Sequence, residues 1–335
     1  MTALPPLAVT MGEPAGIGGD IVLKAWAARR TDGVPPFVIL DSPARLSDLA
    51  RRIGLEVPVR AVERPEDAAA VFADALPVLP LELPAPVVPG RPDPANGAAV
   101  IAAIDLAVEL VQAGRAAAVV TNPIQKSALY AAGFRHPGHT EYLAHLAGMA
   151  EEPVMMLEGG GLRVVLATIH LPLAAVPGAL TTDAIVHVGR VTAAALARDF
   201  AIPRPRLAVA ALNPHAGEEG TMGREEIEVI APAVAALREA GIDADGPRPA
   251  DTLFHAGARA RWDAVLCMYH DQGLIPLKTL DFETGVNVTL GLPFVRTSPD
   301  HGTALDIAGT GRASASSLLA ALRTAARMAA GRSGA

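Results

Sequence analysis

The chain has 335 residues, enough for one large domain or two smaller ones, and 51% of them are hydrophobic, enough for a sizeable core. A formal charge of −7 with no run of basic residues argues against nucleic-acid binding, which needs a basic surface to displace counterions. A single cysteine, Cys267, rules out a disulfide framework within the chain and fits a reducing compartment.

The N-terminus, MTALPPLAVTMGEP, has neither the basic start nor the long apolar core of a secretory signal. Short, interrupted apolar stretches are expected to leave no membrane span, and the expectation is a cytoplasmic protein. Apolar runs at Leu7–Met11, Pro36–Leu40, Ala117–Thr121, Val164–Thr168, Leu207–Leu212 and Ala264–Met268 predict strands. Alanine-rich stretches at Gly19–Ala27, Gly97–Ala113, Ala184–Ala197, Arg224–Ala240 and Ala313–Ala330 predict helices. This alternation predicts an α/β fold with a largely parallel sheet covered by helices. Pro77–Pro94 is proline-rich and reads as a connector, and Asn96 is placed to cap the helix that follows.

The first strand leads into Met11–Asp20, MGEPAGIGGD, a glycine-rich strand-to-helix turn. The dinucleotide fingerprint fails there, because Gly16 and Gly18 would need a glycine where Ile21 stands, and the ending of a Walker A loop is absent. Asp41 lies at about the acidic-residue distance of a dinucleotide fold, but without the fingerprint that spacing carries nothing. Thr121–Lys126, TNPIQK, ends another strand at a proline, so Asn122, Gln125 and Lys126 are candidates to line a cleft. In His136–Tyr142, HPGHTEY, Thr140 is placed to cap a helix and His139 to meet an anion at its N-terminus.

Three apolar runs end in histidine. Leu162–His170 reads LRVVLATIH, Arg206–His215 reads RLAVAALNPH, and Trp262–His270 reads WDAVLCMYH. One histidine after one strand is usually an ordinary loop residue. Three with the same placement point to a shared metal site, since ligands of open α/β sheets bind at the carboxyl ends of strands and imidazole suits zinc and similar ions. The separations exclude a local zinc finger, so the fold must assemble such a site.

After the second histidine comes Gly217–Arg224, GEEGTMGR, which can wrap a ligand or simply turn. Asp251, in RPADTLF, is a candidate base or orienting carboxylate, or a helix cap. Cys267 inside its strand run reads as a small buried hydrophobe. Lys278, Asn287 and Arg296 follow at equal spacings that match no single helix face; each reads alone as a surface charge or turn residue, and together, brought by separate loops and strands, they would suit a phosphate or carboxylate pocket. Ser298–Arg312, SPDHGTALDIAGTGR, is a glycine-rich stretch whose amides can approach a nucleotide closely, or a turn leading into the last helix.

The segments MGEPAGIG, PGHTE, ATIHLPL, LNPHAGE, PADTLF, MYHDQGLIPLK and VNVTLGLPFVRTSPDHGTALDIAG, in that order from about residue 7 to about residue 325, resemble the PdxA family of 4-hydroxythreonine-4-phosphate dehydrogenases. HGTALDIAG is also similar to the cofactor loop of isopropylmalate and isocitrate dehydrogenases. The resemblance implies two α/β/α domains flanking a cleft that holds the active site, with residues 1–132 and 297–335 in one domain and 133–296 in the other. It implies His170, His215 and His270 as ligands of a divalent zinc, magnesium or cobalt ion. It implies His139, Thr140, Lys278, Asn287 and Arg296 as substrate contacts, with Asp251 and Lys278 as candidate catalytic groups. Gly302, Thr303, Leu305 and Asp306 would meet NAD or NADP. The family is homodimeric with active sites shared across the interface, so one histidine would serve the neighbouring subunit.

The implied reaction oxidises 4-phosphooxy-L-threonine to a 2-amino-3-oxo acid, which loses carbon dioxide to give 3-amino-2-oxopropyl phosphate. Gln125 departs from the pattern, because some members carry histidine there; related enzymes act on 4-phosphorylated threonate or erythronate. A non-catalytic metal- and phosphate-binding protein is the reading of another class.

Overall fold

The apolar runs fold as buried strands. The computed structural model describes residues 4–334, and the strands in chain order are β1 Leu7–Thr10, β2 Phe37–Asp41, β3 Val59–Ala61, β4 Leu76–Pro80, β5 Val119–Val120, β6 Val154–Gly159, β7 Leu162–Leu166, β8 Arg206–Ala210, β9 Asp243–Arg248, β10 Ala264–Cys267, β11 Val286–Leu290 and β12 Arg296–Pro299. They belong to two units. The first runs to Glu152 and resumes at Leu292, and the second is Pro153–Gly291.

In the first unit the strand order is β3-β4-β2-β1-β5-β12 and every pairing is parallel. Strands with helices on both faces are apolar throughout, which is why β1 and β2 are buried at every position. From β1 the chain steps outward to β2 and later crosses to β5 on the other side. The carboxyl ends of β1 and β5 are therefore a switch point, where α/β sheets bind ligands. The helix Gly97–Gln112 packs Val100, Ile104 and Val108 into this unit's core, joined by Tyr142 and Leu143 of the helix His139–Leu146. Burying each of the larger of these side chains is worth roughly 1.5–3 kcal/mol.

Several expectations are corrected here. Pro94–Gln112 is long and apolar enough, at 19 residues and mean hydropathy 1.5, to cross a membrane by length and composition, contrary to the reading of short broken stretches. Half of it is buried in the protein, as a core helix is. The connector assigned from Pro77 begins instead as β4, where Leu76, Val78 and Leu79 are buried although Pro77 lacks an amide donor. Asn96 makes no capping bond; its Oδ1 accepts from the Ala85 amide at 3.0 Å. Thr140 is not a cap either, because its helix starts one residue earlier with Gly138 at the cap position.

In the second unit the order is β11-β6-β7-β10-β8-β9. β7, β10, β8 and β9 are parallel, while β6 runs antiparallel to both β7 and β11. The helix Thr182–Asp199 is capped by Thr181, whose hydroxyl accepts from the Ala184 amide. The helix expected from Arg224 starts as one π-helical turn, Glu226–Ile230, before the α-helix Ala231–Glu239. Such turns concentrate at functional sites.

Candidate active site

The first unit gathers polar groups at its switch point. After β1 the chain turns through Gly12–Gly16, and after β5 it runs through Thr121–Lys126. The two are joined by Asn122 Nδ2 donating to the Thr10 carbonyl at 2.9 Å and the Glu13 amide donating to the Pro123 carbonyl at 2.8 Å. The glycine-rich loop after β12 docks on the same turn. The Ile17 amide donates to the Thr303 carbonyl at 3.0 Å, and the Gly309 amide donates to the buried Asp20 carboxylate at 3.1 Å. Arg52 Nε donates to the Gly309 carbonyl at 3.0 Å. Gly309 has φ +67°, and a Cβ there would stand 2.8 Å from Pro89 Cβ, so this loop needs glycine at that position. Leu305 and Gly302 belong to the same loop, in which the Asp306 side chain is exposed. A cavity of about 660 Å³ opens beside it, lined by Gly16, Asp20, Ser42, Arg45, Arg52 and the proline-rich 83–89 segment.

Arg296 starts β12 and is buried, with Nε and Nη2 both donating to the Thr121 hydroxyl, at 3.2 and 2.6 Å. Burial pushes its pKa down to about 10 against the pull of Glu141. Burial also holds the His139 imidazole well below its usual range, helped by the charges of Arg296 and Lys126. Its Nε2 is buried with no hydrogen-bond partner, as is Asn122 Oδ1. Such atoms call for an explanation, and a bound polar ligand is one. Thr140 follows His139 at this helix start, and Gln125 Oε1 accepts from the Thr303 hydroxyl at 3.2 Å.

The second unit holds the three histidines. β7, β10 and β8 are adjacent and parallel, so His170, His270 and His215 all lie beyond the same edge of the sheet. His270 opens the helix His270–Leu280, and its Nδ1 lies 2.7 Å from Asp271 Oδ1. His170 and His270 have ring centroids 6.0 Å apart and line one cavity of about 290 Å³.

Three side chains fasten the arms. The Thr168 hydroxyl donates to the Met268 carbonyl at 2.7 Å, Gln272 Oε1 accepts from the Met268 amide at 2.7 Å, and Gln272 Nε2 donates to the Ala211 carbonyl at 2.7 Å. Glu226 holds the segment after β8. Sequence reasoning missed Thr168, Gln272 and Glu226, because each binds a segment beyond a strand end, Met268, Ala211 or Leu212–Asn213, that the fold and not the local sequence brings to it.

His215 is presented by an unusual turn. His215, Ala216, Gly217, Glu218 and Glu219 have φ of 52°, 54°, 77°, 43° and 55°, a left-handed run. Each non-glycine residue there costs roughly 1–2 kcal/mol. Among the described residues no group of three His, Cys, Asp or Glu side chains is placed to hold a metal ion, so within one chain His215 does not join His170 and His270.

Asp251 is exposed in the short helical turn Ala250–Thr252. Lys278 lies in the last turn of the helix from His270, with Nζ 5.7 Å from the Phe282 ring centre, so it comes from a helix and not from a loop or strand. Asn287 is on β11, where its Oδ1 is buried without a partner. Cys267 is buried in β10, and burial pushes its thiol pKa up, as expected of a packing residue.

A sequence model of the family described as pyridoxal phosphate biosynthetic protein PdxA matches residues 34–325. The chain belongs to this family. It is 57% identical to a 4-hydroxythreonine-4-phosphate dehydrogenase of Xanthobacter autotrophicus, covering 98% of this chain and 95% of that one. It is also 57% identical to the protein of that name from Caulobacter vibrioides, covering 98% of each. The crystal structure of 4-hydroxythreonine-4-phosphate dehydrogenase from Klebsiella pneumoniae matches with a TM-score of 0.87 at 40% identity, covering 97% of this chain and 99% of that one. The PdxA family thus accounts for the order of the sequence segments and for the mixed α/β fold.

Proposed function

We propose that this chain is an NAD(P)- and metal-dependent 4-hydroxythreonine-4-phosphate dehydrogenase of pyridoxal 5'-phosphate biosynthesis, working in the cytoplasm as a homodimer. The observation that carries it is the placement of His170, His270 and His215 at the carboxyl ends of three adjacent parallel strands in a chain of this family. The secondary alcohol of 4-phosphooxy-L-threonine is oxidised to 2-amino-3-oxo-4-phosphooxybutanoate, which loses carbon dioxide to leave 3-amino-2-oxopropyl phosphate.

A divalent zinc, magnesium or cobalt ion is the proposed occupant, and the imidazole donors suit zinc or cobalt better than magnesium: His170 and His270 share a cavity, and among the described residues no third ligand joins them within one chain. A second copy supplying His215 completes the set. Large apolar side chains are exposed in the segments that follow the histidines: Leu171 (44%) and Leu173 (67%) after His170, Ile275 (63%) in the helix that His270 opens, and Met222 (42%) after His215. Exposed apolar side chains so placed suit burial in a protein interface.

His170 and His270, with His215 of a second copy, would hold an ion that would supply Lewis-acid polarisation of the substrate oxygen, and the loop of Gly302, Thr303, Leu305 and Asp306 would hold a nicotinamide that would supply the hydride acceptor. The protein's own groups orient the substrate. Arg296 and Lys278 take the phosphate, and the Asn287 amide fixes its direction. Neutral His139, with Thr140 beside it, offers a hydrogen bond without adding charge. Asp251 and Lys278 are the groups assigned to carry the hydroxyl proton. Gly302, Thr303, Leu305 and Asp306 meet the cofactor.

Gln125 favours a second reading, the same chemistry on 4-phosphothreonate or 4-phosphoerythronate. Purified protein with NAD⁺, a divalent ion and each substrate in turn separates these readings: NADH formed fastest from 4-phosphooxy-L-threonine is expected, and NADH only from another acid would transfer the assignment. A non-catalytic binder of metal and phosphate would show no NAD⁺ binding by calorimetry.

A further inference from the structure

We infer that Glu226 is the positioning residue that aims His215 at the metal, an inference that rests on the proposed function. Glu226 begins the π-helical turn and is almost fully buried, at 3% exposure. Its Oε1 accepts from the backbone amides of Leu212 and Asn213, at 2.9 and 2.7 Å. Its Oε2 accepts from Asn213 Nδ2 at 2.9 Å. A buried carboxylate with three donors is held in one place, and the donors are held with it.

These donors are the two residues that end just before Pro214 and His215. Gln272 Nε2 donates to the preceding carbonyl, that of Ala211, so this carbonyl and the Leu212 and Asn213 amides are held by two side chains from outside the segment. The left-handed run starts at His215 itself. Gly217 within that run lies against Glu226: a Cβ there would stand 2.5 Å from Glu226 Oε2. Gly223 is as close to Asn213, with a Cβ 2.3 Å from its Nδ2. A backbone conformation that costs free energy persists only where the surroundings over-determine it, and Glu226 touches both the approach to this turn, at Leu212 and Asn213, and its middle residue, Gly217. The carboxylate does not reach the imidazole; it acts through the backbone that carries it.

The test uses the full-length protein and cobalt(II) as the probe ion, with affinity read by titration and the fold by circular dichroism. Glu226→Ala should weaken cobalt binding about 10- to 100-fold, the range typical of groups that orient a metal ligand. Glu226→Gln keeps one carbonyl oxygen for the two amides and should weaken it less. In a His215→Ala background, Glu226→Ala should add no further loss, because both changes act on the same ligand. If Glu226→Ala or Glu226→Gln lowers only the melting temperature, with cobalt affinity unchanged while His215→Ala weakens it, the positioning role is wrong and the metal reading stands. If His215→Ala itself leaves cobalt affinity unchanged, the metal reading falls and this role with it.

Discussion

His170 and His270 face one cavity with ring centroids 6.0 Å apart, while His215 stands on the far side of β10 from β7. A shared site across a dimer predicts complementation. His215→Ala and His270→Ala homodimers should each be nearly inactive. Refolded together in equal amounts, they should regain roughly a quarter of wild-type activity, because half the dimers are mixed and each mixed dimer keeps one intact site. No recovery on mixing would place all three ligands in one chain.

His139 gives a pH prediction. Its folded pKa lies below the unfolded value, through burial first and then Arg296 and Lys126. Around pH 6.5 and below, the unfolded chain binds a proton on this imidazole that the folded chain refuses, so this residue makes stability fall as pH is lowered from about 6.5. Denaturant unfolding at pH 7 and pH 5.5 should show a larger loss for wild type than for His139→Gln. Equal losses would contradict a buried neutral imidazole.

Arg296→Lys tests the bidentate grip on Thr121. Lysine keeps the charge but cannot make both bonds that Nε and Nη2 make. The KM for the phosphorylated substrate should rise about tenfold, the effect of losing roughly 1.4 kcal/mol, with kcat changed less. An unchanged KM would remove Arg296 from the substrate contacts.

Gly309→Ala probes the loop assigned to the nicotinamide cofactor. The added methyl meets Pro89 at 2.8 Å and Arg52 Nε at 3.0 Å, at a left-handed backbone position. The substitution should cost roughly 1–2 kcal/mol of stability and weaken NAD⁺ binding measured by calorimetry, while cobalt affinity holds. Undiminished NAD⁺ affinity would separate this loop from the cofactor.

The sequence made the histidine strands legible because each apolar run is a strand buried at most or all of its positions, and the polar segment beyond its end lies at the sheet edge. Strand adjacency was not legible: that β10 lies between β7 and β8 follows from pairing at long range. Arg296 and Asn287 stood out as candidates by chemistry and family pattern, but Glu226 did not, because a glutamate near the start of a helix resembles a solvated one until its backbone partners are known. Thr140 was misread as a cap because its helix starts one residue earlier, whereas Asn96 does stand at the cap position and its side chain is taken instead by the Ala85 amide.

The most direct measurement is NADH formation by the metal-stripped protein with NAD⁺ and 4-phosphooxy-L-threonine, before and after a divalent ion is restored. No NADH without the ion and turnover on adding zinc, magnesium or cobalt are expected. Undiminished turnover in the stripped protein, or none from this substrate with any of the three ions, would contradict the assignment.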